Sequence, residues 1–474
     1  MHTIREADNG AGVTGAVVLA AGKGTRMKTE QPKVVHELLR LPMLWYVHRA
    51  LGAVVDIDRQ WTVVGYGRER VRQACIGYGG HFVHQKRQLG TGHAVAAAWP
   101  DVRRAGCEWC LVVNGDAPLI RAEALSGLVQ SCRENSASLG FLSIELDEPD
   151  GYGRVIRRTD GTVRAVVEDK DLSPAQRESG LNEVNAGVYC LHVPSMEPYL
   201  NQLSQNNAQG EYYITELVDL GVNNGELVVA SNAGRDSSLL GVNSPAELVA
   251  CESLLQKRIN SELLNSGVVL RNSDQVRISP LAGIQPGAEI TGPSEIYGAS
   301  TVASQAWISS HTWLQDAHIG PKARVLEFSH LEQARVEAGC QVGPYARLRP
   351  GTELKAGAKV GNFVELKKAV LDQGAKANHL SYIGDAHVGA EANIGAGTIT
   401  CNYDGKAKHQ TVIGPKAFIG SNTALVAPVR IGKESLVGAG STISKDVPDN
   451  TLAVTRAAQR HVPRRKLRGG DEEN

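Results

Sequence analysis

The chain has 474 residues, more than one hydrophobic core usually serves, so two or three domains are expected. Lysine plus arginine balances aspartate plus glutamate at 50 each, and aromatic residues make up only 5%, which argues against a nucleic-acid-binding surface. No apolar stretch reaches the roughly 18 residues of a membrane span, and residues 1–15 lack the apolar segment of a signal peptide.

The eight cysteines do not form a disulfide framework in a chain of this length, so a cytoplasmic protein is expected. Cys107 and Cys110 form one CxxC pair, but no second pair completes a zinc site. Because Cys110 opens the apolar run CLVV, we expect it to be a buried strand residue.

From residue 16 to about 244, short apolar runs alternate with segments of helical periodicity. The alternation predicts an α/β domain with a mostly parallel sheet and helices on both faces. The predicted strands are AVVLAA (16–21), WTVVG (61–65), CLVVNGD (110–116), ASLGFLSIEL (137–146), GRVIRR (153–158), VRAVVED (163–169) and EVNAGVYCLH (183–192); helices are predicted over 42–54, 121–134 and 245–265.

The glycine-rich turn AAGKGTRM (20–27) directly follows the first predicted strand. It is not a Walker A loop, because Val17 stands where that motif needs glycine, and Met27 breaks the dinucleotide pattern G-x-G-x-x-G. A strand followed by a tight turn with open backbone N–H groups can hold an anion or a base edge. An ordinary strand-to-helix turn is the alternative.

Charged residues near this turn favour phosphate chemistry on a nucleotide. Arg26 and Lys33 follow within a dozen residues, and Asp116 stands at the carboxyl end of a strand, where open α/β sheets bind ligands. A carboxylate there can hold Mg²⁺, which bridges polyphosphate oxygens, although a strand-end aspartate can also simply cap a helix.

The second half of the chain has a different period. Aliphatic residues recur at steps of six, with four steps of five and an interruption over TCNYDGKAKHQT (400–411). This period predicts a parallel β-helix whose coils have three short sides and a thin aliphatic interior. The interior residues are Ile278, Ile284, Ile290, Ile296, Val302, Ile308, Leu314, Ile319, Val325, Leu331, Val336, Val342, Leu348, Leu354, Val360, Leu366, Leu371, Ala377, Ile383, Val388, Ile394, Ile413, Ile419, Leu425, Ile431, Val437 and Ile443.

Polar residues that packing does not require suggest a site on this β-helix. His379 stands two positions after the interior residue Ala377. A lone histidine is often only structural, but coils about 4.8 Å apart can bring such residues together on one small ligand. The residues expected to converge with it are Arg349, Lys367, Tyr382, Asn393 and the CNYDG loop.

Several motifs carry a family resemblance over residues 16–456. LAAGKGTRM, PK at 32–33, QLGTGHA (88–94), NGD (114–116), GYGR (151–154), NAQGEYYIT (207–215) and GVN (241–243) resemble the sugar-nucleotide pyrophosphorylases. With the hexapeptide half, the chain resembles the bacterial bifunctional N-acetylglucosamine-1-phosphate uridyltransferase / glucosamine-1-phosphate N-acetyltransferase family. The resemblance implies an N-terminal Rossmann-like nucleotidyltransferase domain and a C-terminal left-handed parallel β-helix of hexapeptide repeats. The implied domains are a tail (1–15), the uridylyltransferase domain (16–244), a linker helix (245–270), the acetyltransferase β-helix (271–456) and a C-terminal tail (457–474).

For the first half, the resemblance implies that UTP and N-acetylglucosamine 1-phosphate give UDP-N-acetylglucosamine, a cell-wall precursor, and pyrophosphate. Arg26 and Lys33 would stabilise phosphate charge, and Asp116 with Asn243 would hold Mg²⁺. The nucleotide and sugar contacts would come from Leu19, Ala20, Ala21, Gly22, Lys33, Gln85, Gly90, Thr91, Asn114, Gly115, Asp116, Gly153, Glu168, Asn185 and Asn243. Some relatives carry tyrosine at the position of Asn114.

For the second half, the resemblance implies acetyl transfer from acetyl-CoA to glucosamine 1-phosphate, with His379 as the general base. The sugar phosphate would be bound by Arg349, Lys367, Tyr382 and Asn393, and acetyl-CoA by Ala396, Asn402, Tyr403, Ser421, Ala439 and Arg456. Asn378 replaces a glycine of some relatives, and Cys401 is interpreted as a wall residue. The family also implies a homotrimer formed through the β-helix, with no nucleic-acid or membrane partner.

Two alternatives remain open from the sequence. The β-helix could be an allosteric or assembly module attached to a pyrophosphorylase, although His379, Lys367, Asn402 and Tyr403 are all present. It could also be a zinc lyase that uses His379, His387 and a third histidine, but no third histidine has a suitable position.

Overall fold

A computed structural model describes residues 12–463. The chain divides into two compact units, and the division falls between Leu255 and Gln256, inside the long helix predicted over 245–265. Residues 1–11 and 464–474, which make up most of the two predicted tails, lie outside the described residues.

The first unit is an α/β domain built on one sheet. Its strands are β1 Thr14–Ala20, β2 Glu37–Leu38, β3 Leu41–Pro42, β4 Gln60–Val64, β5 His81–His84, β6 Trp109–Asn114, β7 Leu139–Glu145, β8 Arg154–Arg157, β9 Val163–Val167, β10 Glu183–His192 and β11 Val228–Asn232. Its helices are α1 Met43–Leu51, α2 Arg68–Ala74, α3 Thr91–Arg104, α4 Ala122–Glu134, α5 Pro174–Glu178, α6 Val193–Leu200, α7 Glu216–Asn223 and α8 Pro245–Asn265.

The main sheet has the strand order β11-β7-β10-β6-β1-β4-β5. All neighbours pair in parallel except β10, which runs antiparallel to both β6 and β7 and also pairs with the β8–β9 hairpin. The central strands are apolar and buried along most of their length because helices cover both faces. The predicted mostly parallel α/β sheet is therefore confirmed.

This topology brings the two predicted nucleotide motifs together. Leu19 of β1 is in register with Asn114 of β6, so the glycine-rich turn and the NGD segment leave the same edge of the sheet side by side. The order of the strands also reverses around β1, which is where ligands bind in open α/β sheets. Cys110 is fully buried in β6, as expected from its apolar run.

The second unit is a parallel β-helix with three faces. One face contains Val269–Arg271, Glu289–Thr291, Trp307–Ile308, Arg324–Val325, Gln341–Val342, Lys359–Asn362, Lys376–His379, Asn393–Ile394, Phe418–Ile419, Leu436–Val437 and Leu452–Ala453. The strands of the other two faces are Val276–Ile278, Gly283–Ile284, Ser294–Tyr297, Thr301–Val302, Thr312–Gln315, His318–Ile319, His330–Glu332, Ala334–Val336, Arg347–Leu348, Thr352–Leu354, Glu365–Leu371, Tyr382–Val388, Ile399–Cys401, Thr411–Ile413, Ala424–Val426, Val429–Ile431 and Thr442–Ile443.

The strand register explains the hexad period and its interruptions. Ser294 pairs with Thr312 on the next coil, 18 residues on, which is three hexads. His330 pairs with Arg347 only 17 residues on, because one step of five shortens that coil. Ile399 pairs with Ala424 across 25 residues, because the loop 400–411 leaves the coil between them.

The predicted interior residues form the core of this unit. They are almost all buried, with Ile284 near the first coil only partly so, and the small alanines at neighbouring positions fill the corners. A coil this narrow holds one aliphatic side chain per face, so stability comes from stacking coils rather than from a wide core. Gln256 and Asn260 of α8 bond to the backbone of the first coil, at the amide of Ile278 and the carbonyl of Val276.

Candidate functional sites

The glycine-rich turn forms an open edge beside the NGD segment. The carbonyl of Leu19 accepts from the amide of Gly115 at 2.9 Å, and the carbonyl of Ala21 accepts from the amide of Tyr66 at 3.1 Å. A side chain placed at Gly22 would meet no atom within 4 Å. The turn is therefore held at its base by carbonyls, while its tip is free for a ligand.

Four predicted phosphate-site residues converge at this edge from distant parts of the chain. Lys33 Nζ forms an ion pair with Asp116 and donates to Asn243 Oδ1 at 3.0 Å. Arg26 donates to the same oxygen at 2.7 Å. The carbonyl of Asp116 in turn accepts from the amide of Val242 at 2.8 Å, which ties the GVN segment to the NGD segment.

The oxygen atoms at this point suit a hard divalent cation. Asp116 Oδ1 is buried and has no hydrogen-bond partner among the described residues. A Cβ at Gly241 would lie 2.8 Å from that oxygen, so glycine there leaves the carboxylate its space. One carboxylate with a neighbouring amide oxygen is the sparse protein donor set that Mg²⁺ uses when substrate phosphates supply other ligands.

The predicted base-reading residues lie at the start of α3. Gly90 has φ +110°, and a Cβ there would lie 2.5 Å from the carbonyl oxygen of Tyr212, so only glycine fits this turn. Gln85 is 3% exposed and its side-chain nitrogen donates to the carbonyl of Gly90 at 3.1 Å. Thr91 Oγ1 accepts from the amide of Ile214 at 3.0 Å, which fixes the turn to the EYYIT segment.

The predicted sugar contacts form a second cluster on β8–β10. The amide of Asn185 donates to the carbonyl of Gly153 at 2.8 Å, and the Glu168 carboxylate lies against Gly153. Burial raises the pKa of Glu168, and the hydroxyl of Thr215, which donates to the carboxylate at 3.0 Å, partly opposes that shift. The cluster thus contains a desolvated carboxylate beside a side-chain amide.

A buried tyrosine that the sequence did not single out holds this amide. β10 has a register irregularity between Asn185 and Tyr189, with Gly187 at φ +72° inside it. Asn185 Oδ1 accepts from the amide of Gly187 at 3.0 Å, and Asn185 Nδ2 donates to the phenol oxygen of Tyr189 at 2.6 Å. Asn114 lies against Gly187, so the side chain at this variable position fills space above the irregularity.

On the β-helix, the register aligns the predicted base with the predicted acetyl-CoA residues. His379, Ala396, Ser421 and Ala439 each stand two positions after an interior residue of the first face, and those interior residues pair in sequence on successive coils. They therefore form one column along a corner, which we call the corner column. Arg456 extends it, because its guanidinium donates to the carbonyl of Ala439 at 2.8 Å.

Asn362 is the residue of the preceding coil in this column, and the sequence analysis missed it. It is in register with His379, and its Oδ1 lies 2.8 Å from His379 Nδ1. An amide oxygen can only accept, so Nδ1 carries the ring proton and Nε2 is left as the basic nitrogen. The signal was present as the 17-residue spacing of one shortened coil.

Three cations gather beside this column. Arg349 and Lys367 follow interior residues that pair on successive coils, and Arg349 is also bonded to Glu365 at 3.0 Å. Lys408, from the loop 400–411, contacts Lys367, and this neighbouring charge is the main cause of a lowered pKa of Lys367. Two lysines held together beside an arginine favour a dianion such as a phosphate. Lys408 was missing from the sequence-based set.

The remaining predicted residues surround the same cluster. The hydroxyl of Tyr382 and the amide of Asn402 both lie over Gly384, where a Cβ would come within 2.8 Å of each. Asn402 is fixed by a hydrogen bond to Asp385. Asn393 lies half-buried on the first face, in register with Lys376. Tyr403 is exposed on the loop.

The arrangement does not suit a zinc centre. His387 lies on a different face from His379 and bonds to Asp372 at 2.8 Å. Within residues 12–463, no group of three or more His, Cys, Asp and Glu side chains lies close enough to hold a metal ion. Cys401 is exposed, whereas the other seven cysteines are free and buried.

A nucleotide-binding α/β unit with a phosphate edge, joined to a hexapeptide β-helix with its own cationic cluster, defines a two-site transferase. Residues 16–206 match the model of the MobA-like NTP transferase domain, and residues 410–445 match that of the bacterial transferase hexapeptide. Curated relatives named bifunctional protein GlmU are 51% identical in Oleidesulfovibrio alaskensis, over 94% of this chain and 97% of theirs, and 44% identical in Lawsonia intracellularis, over 95% and 98%. The chain belongs to the GlmU family, which confirms the resemblance drawn from its motifs. No helix over residues 12–463 is long and apolar enough to cross a membrane.

Proposed function

We propose that the chain makes UDP-N-acetylglucosamine, a precursor of the bacterial cell wall, by acetyl transfer at the β-helix followed by uridylyl transfer at the α/β unit. This is the pair of activities of its family. The observation that carries the residue assignment is the corner column, because it aligns a basic imidazole nitrogen with three small residues and Arg456 along one corner.

In acetyl transfer, the amine nitrogen of glucosamine 1-phosphate attacks the thioester carbon of acetyl-CoA. His379 Nε2 takes a proton from the attacking nitrogen, the carbon–sulfur bond breaks, and coenzyme A leaves as its thiol after protonation. Arg349, Lys367 and Lys408 hold the sugar phosphate, and Tyr382 and Asn393 orient the sugar. The small side chains of Ala396, Ser421 and Ala439 leave a groove for the coenzyme.

In uridylyl transfer, a phosphate oxygen of N-acetylglucosamine 1-phosphate attacks the α-phosphorus of UTP. The bond to the β-phosphate oxygen breaks and pyrophosphate leaves, so the protein mainly positions reactants and neutralises charge. Arg26 and Lys33 do this from one side. Glu168 and Asn185 hold the sugar on the other.

Asp116 and Asn243 would hold Mg²⁺, which supplies charge neutralisation on the phosphates when bound. The buried, unpartnered Asp116 Oδ1 supports this assignment. Lys33 contacts both residues, so it is positioned to share phosphate charge with the ion.

Two substitutions test the two-site assignment. His379→Ala should abolish acetyl-CoA-dependent thiol release with glucosamine 1-phosphate and leave pyrophosphate release from UTP unchanged. Asp116→Ala should do the reverse. His387→Ala is the matched control, because that histidine lies on another face and should affect neither activity. Loss of both activities from one folded single variant would refute the assignment, and absence of thiol release from the unaltered chain would favour a regulatory β-helix.

We also infer that the β-helix forms a homotrimer. An aromatic ladder of Phe328, Tyr345 and Phe363, continued by Leu380, projects from one corner with each side chain about half exposed. The rings stack with centroids 4.8 and 5.2 Å apart, and all four residues have positive φ, which bulky residues rarely adopt. Exposed apolar side chains in this costly conformation support a contact with other copies of the chain.

The trimer is tested by sedimentation of Tyr345→Ser/Phe363→Ser. The unaltered chain should sediment as a trimer and the variant at lower mass. Leu281→Ser removes a similarly exposed apolar side chain away from the ladder and should leave the mass unchanged. A monomeric unaltered chain, or a trimeric double variant, would contradict this inference.

A further inference from the structure

The side-chain amide of Gln85 has only one possible orientation. Its nitrogen lies 3.1 Å from the carbonyl oxygen of Gly90 and 2.9 Å from Nδ1 of His93. The carbonyl of Gly90 can only accept a hydrogen bond, so the atom facing it must be the NH₂ group. His93 Nδ1 must then be the acceptor for the second N–H, which places the ring proton of His93 on Nε2.

This orientation leaves Gln85 one group to offer a ligand. Both N–H bonds are used inside the protein, and no hydrogen bond to Oε1 occurs among the described residues. Gln85 therefore presents an acceptor. On the pairing edge, N3 of uracil carries a hydrogen and donates, whereas N3 of cytosine carries a lone pair and accepts. An amide oxygen facing N3 binds uracil and repels cytosine.

His93 is itself held rigidly. It lies in the first turn of α3, and its ring stacks on Tyr212 with centroids 6.2 Å apart. The neighbouring amide of Gly92 donates to the carbonyl of Tyr212 at 2.8 Å, so the helix start and the EYYIT segment form one support. A ring fixed in this way can prevent rotation of the Gln85 amide.

We propose that His93 is the positioning residue that sets the base specificity of the nucleotide site. By accepting from the Gln85 amide, it keeps the amide oxygen toward the base and selects uracil over cytosine. The inference rests on the proposed uridylyl transfer. It adds the residue that determines which nucleoside triphosphate the site takes, since a site built around a hydrogen bond rejects bases that cannot form it.

The test compares His93→Leu with His93→Asn in the full chain. Leucine keeps the approximate shape and removes the acceptor, whereas asparagine places an amide oxygen near the position of Nδ1. The kcat/KM values for UTP and CTP are measured with N-acetylglucosamine 1-phosphate. The UTP/CTP ratio should fall about tenfold or more in His93→Leu, mainly through a higher KM for UTP, and stay within about threefold of the unaltered chain in His93→Asn.

Gln85→Leu provides a second measurement. It should lower the UTP/CTP ratio at least as much as His93→Leu, and the double variant should lose no more than Gln85→Leu alone, because His93 acts through Gln85. Acetyl transfer should be unchanged in every variant, which reports that the chain is folded.

Three results would overturn the inference: an unchanged UTP/CTP ratio in His93→Leu, an equal loss in His93→Asn, or additive losses in the double variant. They are distinguishable from failure of the proposed function. If the unaltered chain transferred no uridylyl group from UTP, the proposed function itself would fail, whereas a UTP preference that does not depend on His93 would remove only this inference.

Discussion

At the scale of single residues, the chain places its chemistry by using up the hydrogen bonds that the ligand must not take. His379 gives its Nδ1 proton to Asn362, and Asn185 gives one amide hydrogen to Tyr189, so in each case one defined atom remains for the substrate. Partners of this kind are often worth as much to a site as the residues that touch the ligand. They are hard to find in a sequence because they look like ordinary polar residues.

Tyr189→Phe tests this view at the sugar cluster. The phenol oxygen is lost while the ring, which is 1% exposed and packs on Phe141, keeps its place. The KM for N-acetylglucosamine 1-phosphate should rise about five- to tenfold, the size of one lost hydrogen bond, with little change in the KM for UTP. Steady-state kinetics of pyrophosphate release measures both constants.

Tyr199→Phe is the matched control, because the Tyr199 hydroxyl donates to Glu226 at 3.2 Å and touches none of the proposed sugar contacts. It should leave both KM values unchanged. An unaltered KM for the sugar phosphate in Tyr189→Phe would mean that Asn185 is held well enough by Gly187 alone.

At the scale of elements, the loop 400–411 is the clearest case of one carboxylate organising a segment. Asp404 accepts from the amides of Ala407 and Lys406 at 2.7 and 2.8 Å and from His409 at 2.7 Å. These bonds, that of Ala407 first, hold the pKa of Asp404 well below its usual range. The loop therefore stays charged and closed at any ordinary pH, with Lys408 delivered to the cationic cluster.

Asp404→Ala should release this loop. Because Lys408 would no longer be fixed beside Lys367, the KM for glucosamine 1-phosphate should rise roughly tenfold, as for other lost supporting contacts. Uridylyl transfer should not change. Asp446→Ala is the comparison, since Asp446 accepts from the amide of Arg430 on a distant coil. A KM unchanged by Asp404→Ala, but raised by Lys408→Ala, would show that the loop closes without its carboxylate.

Helix α7 carries a second carboxylate with the opposite behaviour. Burial, with the neighbouring charge of Glu216, raises the pKa of Asp219 to about 6, against the weaker influence of Arg164. A raised folded pKa means that the charged form costs stability. This cost is fully present above pH 6 and disappears as the pH falls below the unfolded value near 4.

Asp219→Asn should therefore stabilise the α/β unit at pH 8, by about 1–2 kcal/mol once solvent screening is allowed for. The gain should shrink as the pH falls through 6 and vanish near pH 4. Hydrogen exchange of the α7 amides in the full chain measures the difference at each pH. A gain that is independent of pH would indicate a packing effect instead of relief of a buried charge.

At the scale of the whole molecule, two units built on different principles share one helix. The α/β unit buries its apolar residues in two layers against one sheet, whereas the β-helix stacks a column of single aliphatic side chains. The division between the units falls within α8, so residues of that helix belong to both. Each unit contains all the residues of its own proposed site.

Fragments that each retain the whole of α8 should therefore be active separately. Residues 1–265 should release pyrophosphate from UTP within about threefold of the full chain, and residues 245–474 should retain acetyl transfer, because neither core depends on the other. The two activities are assayed on purified fragments. Loss of uridylyl transfer from a folded 1–265 fragment would show that this site needs the β-helix.

The sequence by itself determined the architecture. The change from alternating strand and helix patterns to a period of six predicted both units, because each period follows from which side chains must be buried. The strand β10 was predicted with its observed bounds, Glu183–His192, since its apolar run is bounded at both ends. The resemblance of the motifs then identified the family, which the comparisons confirmed.

Only the tertiary structure decided which side chains meet. Asn243 reaches Arg26 across 217 positions of sequence, and Lys408 reaches Lys367 from a loop outside the repeat, so no local pattern could pair them. Asn362 and Tyr189 act through other residues, and their roles depend on hydrogen-bond direction. Burial fixes periodicity and can be read along the chain, whereas hydrogen-bond geometry depends on atoms that only folding brings together.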